Sequence, residues 1–276
     1  MLKALKEAVK PFVYRRAMRR AAAQLRALGG EFNLRVAEGL DLAGRGWMDA
    51  EERVWAGRIE ELRRRVYTAA EDIALPDFGA GYDGGASGGA GRTISRNLGD
   101  FARGGSSPPV WAVMHLRMVR ALRPEACLEL GTCVGISCAY QAAGLRLNGA
   151  GRVYTHEGAP AVAEVARGHF DALGLDNVEV VVGPFQRTLA ATLEKAPPPA
   201  YVFIDGHHDE QATWDYFNQV EPFLADEAVV VFDDIAWSAG MKRVWRRLAA
   251  DPRMAAAFDL RHLGLCVCRR EGAPSK

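Results

Sequence analysis

Four acids stand where chemistry is to be expected. Glu157 closes the strand-like run Val153–Glu157, Asp205 closes Tyr201–Asp205, and the pair Asp233-Asp234 follows Val229–Phe232. A strand end that tends to be buried is a poor place for a carboxylate unless something pairs with it. One acid so placed reads as a helix cap; four, at three strand ends, read as a site. Asp205, Asp233 and Asp234 offer hard oxygen ligands that suit Mg²⁺ or Ca²⁺ completed by water and a substrate oxygen. The adjacent pair adds to that reading, because like charges held together need a counter-ion. An ion there would lower the pKa of a bound hydroxyl and orient it. Glu157 has the two acceptor oxygens needed for the adjacent hydroxyls of a ribose. His207 and His208 follow Asp205 directly, so one of them is a candidate general base. His156 reads as structural, and His115 and His262 receive no role.

A second feature lies upstream. Cys127-Leu128-Glu129-Leu130 is a short apolar strand, Gly131 and Gly135 frame a tight turn, and a helical pattern follows from Ile136 to Leu147. Such a turn presents backbone N–H groups at a helix N-terminus, a seat for a carboxylate or phosphate. On this segment alone a cofactor loop and an ordinary strand-to-helix turn are both open, since short glycine motifs recur by chance. Glu157 stands at the distance from the turn expected of a nucleotide-binding βαβ unit. The turn is not G-x-G-x-x-G, which weakens a dinucleotide reading.

These residues need a scaffold, and the second half of the chain supplies one. Strand-like runs at Cys127–Gly131, Val153–Glu157, Val178–Gly183, Tyr201–Asp205 and Val229–Asp233 alternate with helical stretches near 135–147, 160–173, 186–195, 211–224 and 238–249. Continuous apolar runs such as Val229-Val230-Val231-Phe232 are what a parallel sheet covered on both faces requires. Repeated βα units predict an α/β doubly wound sheet with ligands at the carboxyl ends of its strands. Phe258–Leu260 and Leu263–Cys268 predict two short closing strands.

Before this domain the pattern predicts a helical N-terminal extension over 1–78 and a Gly-rich linker or lid over 79–106, with the main domain spanning 107–276. Asp49 and Glu52 have capping-box spacing for a helix carrying Trp55, Ile59, Leu62, Val66 and Ile73 and ending at Pro76. Residues 32–47 have no clear pattern. Ser107-Pro108 predicts the start of a helix that carries Trp111, Met114, Met118 and Leu122. Trp111, Met114, Trp237 and Met241 are candidate apolar pocket walls.

The chain has 276 residues, 49% of them hydrophobic and 25% charged, enough for one large α/β domain with an appendage. A net charge of +1 argues against a general nucleic-acid binder. The charge is uneven, with Lys3, Lys6, Lys10, Arg15, Arg16, Arg19, Arg20 and Arg26 against Glu7 alone in the first helix, which is expected to break near Pro11. That helix packs on the body or on a second subunit, leaving a homodimer open. Membrane-surface contact through residues 1–28 is the competing reading. Five cysteines in mostly apolar runs, no leader-like segment and no bilayer-length stretch give a cytoplasmic location as the expectation.

With these residues in view, the chain resembles the class I S-adenosylmethionine-dependent methyltransferases, in particular the catechol O-methyltransferase-like group and its bacterial relatives. Glu129-Leu130-Gly131-Thr132-Cys133-Val134-Gly135-Ile136-Ser137 is similar to that group's glycine motif. Val202-Phe203-Ile204-Asp205-Gly206-His207-His208 is similar to its fourth-strand motif, and Phe232-Asp233-Asp234-Ile235 to its fifth-strand acid pair. The resemblance covers about residue 107 to the end. It implies a Rossmann-like, mostly parallel seven-stranded sheet and S-adenosyl-L-methionine as cofactor. It implies that Glu129, Gly131, Thr132, Gly135 and Ser137 surround the methionine end, Glu157 holds the ribose, and Phe185 or Gln186 borders the adenine. Asp205 would border the cofactor as well as the metal, and Asp205, Asp233 and Asp234 would bind a divalent cation such as Mg²⁺. The group's catalytic lysine position holds His208 here, which makes His208 and Asp205 the expected catalytic residues. Animal members carry asparagine where this chain has Asp234. The implied activity is metal-dependent O-methylation of a small hydroxylated acceptor. A nucleotide-dependent oxidoreductase and a non-catalytic membrane-surface binding protein are the alternatives.

Overall fold

The computed structural model describes residues 2–77 and 92–270. The glycine-rich run expected as linker or lid falls largely on 79–91, outside the described residues. The rest of that expected segment holds a strand and a helix, as set out below.

Three helices open the chain. α1 (Leu2–Leu28) continues through Pro11 where a break was expected. Its second half buries Met18, Ala21, Ala22 and Leu25, so packing outweighs the backbone bond that a proline removes. Val9, Phe12 and Val13 are exposed. α2 (Glu31–Arg45) occupies the stretch that looked patternless, and buries Phe32, Val36, Leu40 and Ala43. The helical spacing is present, but Gly39, Gly44, Ala37 and Ala43 dilute it. α3 (Ala50–Tyr67) has the expected capping box: the Glu52 N–H donates to Asp49 Oδ1 and the Asp49 N–H to Glu52 Oε2, each at 2.9 Å. Glu52 also accepts from Arg117 and Arg120, which neutralise its buried carboxylate.

α3 ends at Tyr67, well short of Pro76. Thr68 closes it, and Ile73, expected on the same helix, lies instead in β1 (Asp72–Asp77). β1 pairs antiparallel with β2 (Arg92–Asn97) as a separate two-stranded sheet. Asn97 then caps α4 (Leu98–Gly105), accepting from the Asp100 N–H at 3.0 Å. α5 (Pro109–Leu122) starts after Pro108, with no side-chain cap at its N-terminus. It buries Trp111, Met114, Met118 and Leu122 as their spacing predicts.

The main sheet is the doubly wound, mostly parallel seven-stranded one. Its strands are β3 (Ala126–Leu130), β4 (Arg152–Glu157), β5 (Val178–Val182), β6 (Tyr201–Ile204), β7 (Glu227–Phe232), β8 (Met254–Asp259) and β9 (Gly264–Arg269), in spatial order β5-β4-β3-β6-β7-β9-β8. β3 to β7 are parallel; β9 runs antiparallel to both β7 and β8. The linking helices are α6 (Ile136–Asn148), α7 (Pro160–Leu173), α8 (Phe185–Lys195), α9 (Glu210–Val220) and α10 (Ala239–Ala249).

The pleat explains why the strands read as unbroken apolar runs. Cys127, Phe203, Val229 and Val231 enter one core, with Trp111, Leu145 and Val162 from α5, α6 and α7. Leu128, Val202, Val230 and Phe232 enter the other, with Leu189, Phe217 and Val244 from α8, α9 and α10. Alternate residues thus face opposite layers, and both are dry. The order in which strands are added reverses between β3 and β6, so a crevice opens at their carboxyl ends.

Candidate active site

At that crevice the backbones of β3 and β6 approach closely. The Asp205 N–H donates to the Leu130 carbonyl at 2.8 Å, and the Gly131 and Thr132 N–H groups donate to the His156 carbonyl at 3.0 Å each. A Cβ added at Gly131 would lie 1.9 Å from the Asp205 carbonyl oxygen. Gly131 also has φ 110°, so the position admits only glycine.

Beneath the turn lies a buried polar network. Glu129 is fully buried; its Oε2 accepts from the Thr155 hydroxyl at 2.6 Å and its Oε1 from the Gln141 amide at 2.8 Å. Thr132 pairs with the Thr155 hydroxyl at 2.7 Å, and Ser137 also hydrogen-bonds to Glu129. Burial raises the Glu129 pKa from 4.5 to about 7, against the downward pull of hydrogen bonds from Thr155, Ser137, Cys138 and Gln141. The folded chain therefore keeps a proton that the unfolded chain loses near its ordinary pKa. Stability falls as pH rises from 4.5 towards 7, and the whole cost is present above that window. Glu129→Gln is accordingly expected to stabilise the cofactor-free protein at pH 8 by on the order of 3 kcal/mol, and by little at pH 4.5. Urea unfolding at the two pH values tests this; equal or opposite changes at both would refute it.

The rim itself carries the strand-end acids. Each Glu157 oxygen accepts one backbone N–H at 2.9 Å, from Cys133 and from Ala159, which fixes the carboxylate with lone pairs to spare. Burial nevertheless pushes its pKa up, with these bonds pulling the other way. Asp205 and Asp234 are both raised, first by burial and then by the Asp233 charge. His208 lies between them, Nε2 at 3.6 Å from Asp205 and Nδ1 at 3.8 Å from Asp234. His207 turns away: its Nδ1 is 2.9 Å from the Tyr216 hydroxyl, which accepts from the Gln186 amide at 2.7 Å.

His262 reaches the rim as well. Its Nε2 is 3.2 Å from Asp233 and its Nδ1 3.4 Å from Asp234. No local motif marks this histidine, but the strand order does. β9 returns antiparallel to β7, with Phe232 opposite Gly264, so residues just before β9 must lie beside those just after β7. Cys133, His207, His208 and Asp234 all adopt left-handed backbone conformations. Such strain in residues other than glycine gathers at functional sites.

A cavity of about 840 Å³ opens over this rim. Of the residues read from the sequence, Gly131, Glu157, Phe185, Asp205, His207, His208, Asp233 and Asp234 line it. Glu129, Thr132 and Ser137 lie in the network below, Gly135 packs against Phe170, and Gln186 faces Tyr216. Opposite the rim, the wall comes from β1, β2 and α4, including Leu75, Ile94, Arg96, Phe101 and Arg103. Trp237 is exposed and lines the cavity; Trp111, Met114 and Met241 are core residues.

Residues 128–235, which carry the glycine turn and all four acids, match a family model described as a methyltransferase domain. This stretch is a methyltransferase domain. Domains of this kind take their methyl group from S-adenosylmethionine. Solved methyltransferases share the fold. The O-methyltransferase from Bacillus cereus, in complex with S-adenosylhomocysteine, is 24% identical, with 60% of this chain and 83% of that chain covered and a TM-score of 0.52. The S-adenosylhomocysteine-bound methyltransferase PaMTH1 of Podospora anserina is 16% identical, covering 61% of this chain and 81% of its own, at 0.52. The O-methyltransferase TomG of Streptomyces achromogenes, involved in tomaymycin synthesis and bound to S-adenosylmethionine, is 18% identical, covering 81% and 92%, at 0.53. No curated protein matches the chain in sequence. Among the described residues, no helix of the methyltransferase is long and apolar enough to cross a membrane, and all five cysteines are free thiols.

Proposed function

We propose that this methyltransferase moves the methyl group of S-adenosylmethionine to a hydroxyl of a small molecule, with a divalent cation at the acidic rim. The observation that carries the reading is convergence: the glycine turn, Glu157 and the three aspartates, from four strand ends, border one cavity. The cavity is large enough for a cofactor and a small acceptor together.

Each residue has a part. Glu157 is held by two backbone N–H groups and presents its remaining lone pairs to the ribose hydroxyls. Phe185, packed against Gly206 at the cavity floor, offers a face to the adenine. The rim fits a cation on its own chemistry: crowding three carboxylates at a partly buried site is unfavourable without positive charge. Asp205, Asp233 and Asp234 would hold the ion, which supplies Lewis acidity toward the acceptor oxygen. His208 stands at the same acids and is placed to take the hydroxyl proton; Asp205 and Asp234 stabilise the imidazolium that results. Holding oxygen, methyl and sulfur in line then makes the acceleration largely positional and electrostatic. The wall formed by β2 and α4 is where acceptor contacts are expected, with Ile94 and Phe101 apolar and Arg103 cationic.

Isothermal titration with S-adenosylhomocysteine, with and without EDTA, tests the reading. Binding is expected in both cases, and turnover of hydroxylated acceptors only without the chelator. No binding in either buffer would overturn the cofactor assignment, and turnover unaffected by EDTA the metal assignment.

A further inference from the structure

We propose that His262 is itself a metal ligand, so that the rim takes a first-row divalent transition ion such as Mn²⁺ in preference to Mg²⁺. This rests on the proposed reading of the rim as a cation site and names the ligand set and the class of ion.

The closest grouping at the rim is not the three aspartates. One donor atom each from Asp233, Asp234 and His262 lies within 4.8 Å of the others. Both ring nitrogens of His262 point at carboxylates, at 3.2 Å and 3.4 Å. The ring is held in that pose from behind. Trp111 of α5 stacks with it, centroids 6.4 Å apart and planes inclined by 15°, and Tyr14 of α1 packs at 6.1 Å. Tyr14 and Trp111 are themselves in contact at 4.8 Å. The backbone is tied as well, since the Ile235 N–H donates to the His262 carbonyl at 3.1 Å. An imidazole fixed on one face by aromatics, with its nitrogens toward two carboxylates, is pre-organised as a ligand. Asp205, hydrogen-bonded to Asp233, supports the pair from the neighbouring strand.

The donor chemistry then sets the ion. Mg²⁺ favours all-oxygen octahedral surroundings with several waters. Imidazole suits first-row transition ions, and carboxylates joined by one imidazole form a mixed oxygen and nitrogen set that Mn²⁺, Fe²⁺ or Co²⁺ accepts. The N-terminal extension acquires a purpose from this arrangement: Tyr14 holds the ligand's support in place.

The test uses the full-length protein with S-adenosylhomocysteine present. Mn²⁺ and Mg²⁺ affinities are measured by calorimetry, and the Mn²⁺-loaded protein by pulsed electron paramagnetic resonance, which detects a coordinated imidazole nitrogen. Mn²⁺ is expected to bind more than about tenfold tighter than Mg²⁺, with a nitrogen signal. His262→Gln should abolish that signal and weaken Mn²⁺ by more than the ~10-fold that loss of even an outer partner costs. Its S-adenosylhomocysteine affinity should stay unchanged, which shows that the variant is folded. His208→Gln should keep the signal. A signal that survives His262→Gln but disappears in His208→Gln would overturn the proposal. So would Mn²⁺ bound without a nitrogen signal, which leaves an all-oxygen cation site and the proposed function standing. Cofactor binding with no affinity for either ion would overturn both this proposal and the metal part of the function. No cofactor binding would instead strike the methyl-transfer reading itself.

Discussion

Asp205→Ala is expected to lower metal-dependent methyl transfer by at least about a hundredfold, the scale of loss when a charge-stabilising group is removed from an active site. S-adenosylhomocysteine affinity should change by no more than about threefold, because Glu157, the acid proposed for the ribose, stands two strands away, at the end of β4. Stability should move in the opposite direction. Asp205 shares a small, partly buried space with Asp233 and Asp234, and their mutual repulsion burdens the metal-free fold. The isosteric Asp205→Asn is therefore expected to melt higher than the parent in EDTA, by about 2–4 °C if the relief is ~1 kcal/mol. The check is a pair of measurements: turnover against cation concentration for Asp205→Ala, and thermal unfolding in EDTA for Asp205→Asn. Retained turnover with an unchanged cation requirement would remove Asp205 from the site. A lower melting temperature for the asparagine variant would mean that the carboxylate is satisfied within the protein and needs no cation.

Gly131→Ala should be the most damaging small substitution in the domain. The new methyl would sit 1.9 Å from the Asp205 carbonyl oxygen, which is backbone and cannot swing aside. Relief requires β3 and β6 to separate where the Asp205 N–H bonds to the Leu130 carbonyl at 2.8 Å. Strain, a lost ladder bond and a displaced Asp205 together predict a loss of ~4 kcal/mol or more, at the exceptional end for one residue. That corresponds to a melting temperature lower by roughly 10 °C, with cofactor affinity falling in parallel. Gly149→Ala is the control. It has a comparable positive φ of 86° but nothing within 4 Å of the added atom, so only the conformational cost of ~1 kcal/mol remains. Thermal unfolding of the two variants separates crowding from backbone strain; similar losses in both would show that the β3–β6 approach is not what Gly131 serves.

The legible and illegible parts of the chain divide along physical lines. β3 to β7 were readable because a strand covered on both faces is mostly apolar on both, and Val229-Val230-Val231-Phe232 is such a run. The α3 capping box was readable because its partners are three residues apart. The same helix was drawn too long because Ile73 keeps helical spacing with Val66, while pairing with Arg96 in β2 makes it a strand residue. α2 was missed because its apolar stripe is interrupted by glycines and alanines, whose small side chains permit close packing but contribute little to a pattern. Glu129 belongs to the glycine motif by order, yet it stands two residues before the turn. Its neighbours Leu128 and Leu130 face the other core, so its side chain is left inside the layer beneath α6, bonded to Gln141.

What the sequence by itself determined is the sheet, the polarity of its strands and the acids along its carboxyl rim, because chain order and apolar periodicity are local properties. Only the tertiary structure decided what each acid meets. His262 arrives at Asp233 and Asp234 through an antiparallel return, His207 is drawn off to Tyr216 while His208 stays at the carboxylates, and β1, β2 and α4 wall the cavity. Each of these depends on contacts between segments far apart in the chain, where register and packing, not neighbouring residues, choose the partner.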